Sequence, residues 1–113
     1  MLAVMNAKTG DVITTLPIGD RVDAVAFDRD KHLIFASNGG GTVSVVKQNG
    51  ADSYSSAGDI QTQPSAKTMA LDPKTGRLYL SAADMQQAPP TNGGRARMTP
   101  KPDSFRIIVV EPQ

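Results

Sequence analysis

The stretch Val25-Ala26-Phe27-Asp28, a turn and then Leu33-Ile34-Phe35-Ala36 recurs as Met69-Ala70-Leu71-Asp72, a turn and then Leu78-Tyr79-Leu80-Ser81. Each copy is a short apolar run, a turn opened by Asp and a second apolar run, which is the pattern of an antiparallel hairpin. The two aspartates, Asp28 and Asp72, stand 44 positions apart. A period of about 40 to 45 residues is the size of one four-stranded β-propeller blade. Apolar pattern, turn chemistry and spacing agree, and the rest of the chain is read outward from these hairpins.

Further β-type runs lie around them. In chain order the expected strands cover residues 2–5, 12–16, 22–27, 33–37, 42–46, a weak run at 53–57, 67–71, 78–82 and 105–110. Turn chemistry separates them: Lys8-Thr9-Gly10, Asp28-Arg29-Asp30, Gln48-Asn49-Gly50 and Asp72-Pro73-Lys74-Thr75-Gly76 supply Asp, Pro, and Gly or Asn where φ is positive. No 3.6-residue apolar period persists for the length of a helix. Leu33-Ile34-Phe35-Ala36 and Ile107-Ile108-Val109-Val110 are apolar on both faces, which implies sheets stacked on sheets. The expectation is one all-β segment, residues 1–113, of nine strands: two outer strands at 2–16, a full antiparallel blade at 22–57 and a three-stranded blade at 67–110. That is about two and a quarter blades, and a ring needs about four to eight, so one chain does not close it.

Composition bounds the function. Of 113 residues 39% are hydrophobic and 20% charged, the balance of a folded domain, but aromatics are only 4% with no Trp, so the core is built from Val, Ile, Leu, Ala and Met. Twelve Lys plus Arg against eleven Asp plus Glu leave +1, without the electrostatic footprint of a general nucleic-acid or anionic-membrane binder. No apolar run approaches the roughly 18 residues that span a bilayer, and the N-terminus carries no export signal, so no membrane insertion is expected. Zero cysteines exclude disulfides, thiolate catalysis and Cys-ligated metal sites.

Ala24-Val25-Ala26-Phe27-Asp28, Leu33-Ile34-Phe35-Ala36-Ser37-Asn38, Gly39-Gly40-Gly41, Thr42-Val43-Ser44-Val45-Val46 and Asn6-Ala7-Lys8-Thr9-Gly10 together resemble the YVTN-type (YncE-like) β-propeller repeat family. The resemblance covers nearly the whole chain. The ending Pro102-Asp103-Ser104-Phe105-Arg106-Ile107-Ile108-Val109-Val110 is similar to the last blade of such proteins. The resemblance implies the C-terminal blades of a seven-bladed ring closed by an N-terminal strand, and a periplasmic or extracellular place for the full-length protein. It implies no particular activity.

In a four-stranded blade, the links between blades and the turns between second and third strands share one side of the disc. Residues 18–23, 38–41, 60–67 and the long insertion 84–104 therefore belong to one loop face, the usual ligand side of propellers by analogy. Arg21, Gln63, Lys67, Arg95 and Arg97 are the candidate binding residues there. The insertion holds Pro89, Pro90, Pro100 and Pro102 with Arg95, Arg97 and Lys101; such loops are either mobile or binding elements, here for an anionic group or acidic partner.

Other motifs read as structure. Gly39-Gly40-Gly41-Thr42 lacks the helix and Lys of a phosphate loop and is expected to be a turn. The single histidine, His32, falls in a hairpin turn on the opposite face. Asp20, Asp23, Asp59 and Asp84 could meet on the loop face, but without the spacing of a calcium loop. Tyr54 and Tyr79 read as strand residues, and no nucleophile elbow or glycosidase carboxylate pair is evident. No metal, cofactor or nucleic acid is expected. Three functions remain: a non-enzymatic binding or scaffold module for a protein or small ligand; part of a lactonase-like or quinoprotein dehydrogenase-like enzyme needing further blades; or a chain that assembles with copies of itself.

Overall fold

The computed structural model describes residues 1–87 and 98–111, and these are all β. Strands β1 (Leu2–Met5) and β2 (Val12–Leu16) form a two-stranded sheet. Strands β3 (Val22–Asp28), β4 (Leu33–Asn38), β5 (Thr42–Gly50) and β6 (Ser53–Gln61) form a four-stranded sheet in that order. Strands β7 (Lys67–Leu71), β8 (Leu78–Ala82) and β11 (Arg106–Val110) form a three-stranded sheet with β8 in the middle. Every pairing is antiparallel. This is a propeller fragment: one complete blade, the outer pair of the blade before it and three strands of the blade after it, with no sheet closed on itself.

The strand count corrects the expected nine. Two short strands, β9 (Met85–Gln87) and β10 (Met98–Pro100), pair with each other inside the stretch expected to be a loop. The β5–β6 turn also moves: Gly50 pairs with Ser53, so the turn is Ala51-Asp52 rather than Gln48-Asn49-Gly50. The weak run expected at 53–57 extends through Gln61, although only Tyr54 and Ile60 of β6 are half-buried. Backbone pairing to β5 makes that strand, and side-chain patterning shows little of it.

The second and third sheets stack through one apolar cluster. Phe35, Val43 and Val45 of the full blade meet Leu78, Leu80 and Ala82 of β8, with Ala66 of the linking segment. Leu33, Ile60, Met69, Leu71, Ile108 and Val110 pack around them. Successive strand residues point to opposite faces, so the equally buried Ala36 and Val46 face the other way, toward the side on which β2 lies beside β6. Burying one such aliphatic side chain is worth about 1.5–3 kcal/mol, so this two-sided packing carries the fold.

The 44-residue repeat holds position by position. Ser37 and Ser81 each hydrogen-bond the backbone of the innermost strand of their own sheet, at Ala24 and Lys67. His32 and Gly76 both take left-handed φ, 57° and 76°, at the same place in the two turns. Ile34, not Leu33, therefore corresponds to Leu78. A one-residue slip would reverse the faces of β8 and expose Leu78 and Leu80.

Candidate functional site

The loop face is built on the Gly39-Gly40-Gly41 turn between β4 and β5. Gly39 N donates to Arg21 O at 2.8 Å, which holds the link from β2 to β3. Ser65 N donates to Gly39 O and Thr62 N to Gly41 O, each at 2.8 Å, which holds the link from β6 to β7. Gly41 sits at φ 110°, and a Cβ there would lie 3.2 Å from Pro64 N, so glycine is needed both for conformation and for the close approach. Ser65 Oγ in turn donates to Ala83 O, joining the segment after β8. Three connections far apart in sequence thus share one face, and Gly39-Gly40-Gly41-Thr42 is the expected turn.

Beneath it lies a polar node. Asn38 is fully buried, and its Nδ2 donates to Ser44 Oγ at 2.9 Å and Thr42 Oγ1 at 3.1 Å. Gly19 N donates to Ser44 Oγ at 3.1 Å, drawing the β2–β3 link down onto the node. Asn38 Oδ1 and Thr62 Oγ1 are buried and find no partner among the described residues. Buried polar atoms are nearly always hydrogen-bonded, and an enclosed water is the usual partner for such atoms.

Arg21, Gln63 and Lys67 lie on this face. Arg21 is exposed in the left-handed region at φ 57°, ahead of β3, and Lys67 is exposed at the start of β7. Gln63 is engaged within the chain: its Nε2 donates to Asp84 Oδ1 at 3.2 Å, and its Oε1 accepts from Arg106 Nη1 at 3.1 Å. Arg106 Nη2 closes the triangle on Asp84 Oδ2 at 2.9 Å, and Arg106 Nε donates to Ser104 O. Gln63 is thus a structural tie between the blade link, the end of β8 and the start of β11. Arg95 and Arg97 lie outside the described residues.

The aspartates expected on this face do not gather. Asp23 Oδ2 accepts from Thr68 N at 2.7 Å, which fastens the innermost strands of the two blades to each other. Asp84 is held by Arg106 and Gln63, while Asp20 and Asp59 are exposed. Among the described residues no three His, Cys, Asp or Glu side chains come together as a metal site. His32 lies on the opposite face with Nδ1 3.3 Å from Gln48 Oε1. The sequence reading missed Arg106 and Asn38; a lone Asn closing the apolar run Leu33-Ile34-Phe35-Ala36-Ser37 was the available signal for the second.

Two clefts open away from the loop face. One, of about 410 Å³, is lined by Phe27, Asp28, Arg29, Asp30 and Pro73 at the two Asp turns. The other, of about 370 Å³, is an apolar groove between the second and third sheets, lined by Leu33, Phe35, Val45, Ala57, Ile60, Leu78 and Val110 among others. Comparison with protein-family models, curated proteins and solved structures gives no match, and the functional reading rests on this geometry.

Proposed function

We propose that the chain is a binding module of the YVTN-type propeller kind, which presents the Gly39–Gly41 face to a protein, peptide or small ligand. One observation supports this reading most: backbone hydrogen bonds through Gly39 and Gly41 bring two inter-blade links to a single face, with Arg21 and Lys67 exposed beside them. Loops fixed by a rigid sheet scaffold are the common way such folds present recognition groups. Gln63 and Arg106 then shape the face rather than contact a ligand, because their polar groups already meet Asp84 and each other.

A random peptide library displayed on phage and selected on the folded chain tests the reading. Peptides selected on the parent should lose binding to the Arg21→Ala/Lys67→Ala variant and keep it for Lys31→Ala/Lys74→Ala, which alters turns on the opposite face. The reverse pattern, or binding indifferent to both pairs, would refute the face assignment.

A further inference from the structure

Both ends of the blade stack are open, and the two openings are complementary. On the third sheet, Ile107 and Val109 of β11 are 54% and 48% exposed on the face turned away from the core cluster. On the full blade, Val25 and Phe27 of β3 are 62% and 45% exposed on the opposite side of the stack. The repeat fixes these sides: Val25 and Phe27 correspond to Met69 and Leu71, which pack against the preceding sheet, while Val109 corresponds to Val45, which packs against the following one. Among the described residues no strand lies over either pair.

Strand direction matches as well. β2 and β6 both run toward the loop face, because the links that leave them are hydrogen-bonded to the Gly39–Gly41 turn. β11 runs away from that face, since Arg106 at its start bonds Gln63 and Asp84. β11 pairs with β8 on one edge and, among the described residues, with no strand on the other. The strand missing from the fourth place of the third sheet must run as β2 does. β2 already serves as the fourth strand of a blade, but its inner neighbour is β1, only four residues long and with no packing partner except β2. An isolated two-stranded hairpin is marginal.

We propose that β11 of one copy replaces β1 on β2 of a second copy, so that β7, β8, β11 and the incoming β2 make a complete blade. The register of β1 on β2, with Leu2 opposite Leu16 and Val4 opposite Thr14, transfers to Ile107 opposite Leu16 and Val109 opposite Thr14. The incoming β2 lies across the apolar groove beside Ala57 and Ile60, in the place β6 holds beside β5. The same step lays Tyr79, Ile107 and Val109 of one copy over Val25 and Phe27 of the next, continuing the packing already present between the second and third sheets. Each copy then contributes two full blades, so rings of about four to eight blades contain two to four copies. The contact is head-to-tail, and it closes because the blades rotate about a common axis.

The test is solution mass by light scattering, beside a disulfide test that the cysteine-free chain permits. The expected mass is a single value, two, three or four times the 11.9 kDa of one chain. Val25→Asp and Val109→Asp, each at an exposed site, should keep the β circular dichroism of the parent and reduce the mass to one chain. Removal of residues 2–5 should preserve the ring. On mixing Thr14→Cys with Val109→Cys, an oxidised heterodimer should form, with little crosslinking in either variant alone. A monomer at every soluble concentration would overturn the proposal, and so would an oligomer that ignores both Asp variants, loss of assembly on removing residues 2–5, or crosslinking confined to Val109→Cys with itself.

Discussion

Replacing Gly19 by Ala tests the polar node that anchors the loop face. A Cβ at Gly19 would lie 2.7 Å from Asn38 Nδ2 and 2.8 Å from Thr42 Oγ1, inside any real contact distance. Asn38 has no room to yield, because its side chain is fully buried and held by Thr42 and Ser44. To admit the methyl group the amide must give up those bonds inside the protein, and a buried donor left unpaired costs about 1–3 kcal/mol. Overpacking adds roughly 1–3 kcal/mol, while the stiffer unfolded chain returns about 0.4–1 kcal/mol. The net expectation is a loss of about 2–4 kcal/mol, read in urea as a lower midpoint at unchanged slope. The same substitution in an Asn38→Ala background should cost half as much or less, since most of the obstruction is gone. A Gly19→Ala variant within about 0.5 kcal/mol of the parent, or an equal cost in both backgrounds, would refute the geometry.

Leu80→Ala, at the centre of the inter-sheet cluster, should cost about 2–5 kcal/mol in the same assay, whereas Val109→Ala on the open face of a monomer should change stability by less than about 0.5 kcal/mol. His32→Gly should stabilise by about 0.5 kcal/mol, because the left-handed φ that Gly76 adopts freely in the sister turn strains His32. Asp72 has its carboxyl pKa lowered by the Lys74 N–H and then by the Thr75 hydroxyl. Its folded pKa lies below the unfolded one, so its contribution is present at neutral pH and fades as the pH falls below about 4. The stability gap between the parent and Asp72→Asn should therefore narrow between neutral and acid pH, and a pH-independent gap would contradict it.

The repeat was legible because Asp28 and Asp72 open equivalent turns between apolar runs, and that pairing gave the blade size, the antiparallel order and the sides on which loops gather. Strand ends were less legible. β6 is held by main-chain bonds to β5 while Ser55, Ser56, Ala57 and Gly58 stay exposed, so no side-chain period marks its length. β9 and β10 are three residues each, too short for any period to register. At the site, Arg21, Gln63 and Lys67 were placed on one face by topology alone. What sequence could not show is that Gln63 is already engaged, because its partners Asp84 and Arg106 lie 21 and 43 residues away along the chain. The Asn38 node was hidden for a similar reason: its importance comes from the approach of Gly19, which only the folded link creates.

The stacking of the three-stranded sheet on the full blade orients every loop of the proposed site, and methyl–aromatic nuclear Overhauser effects measure it directly. The account predicts cross-peaks linking the Leu78 and Leu80 methyls to the Phe35 ring and the Val43 and Val45 methyls, the members of one buried cluster. Cross-peaks confined to partners within each sheet, such as Leu80 with Ile108, would contradict the stacking and with it the shared loop face.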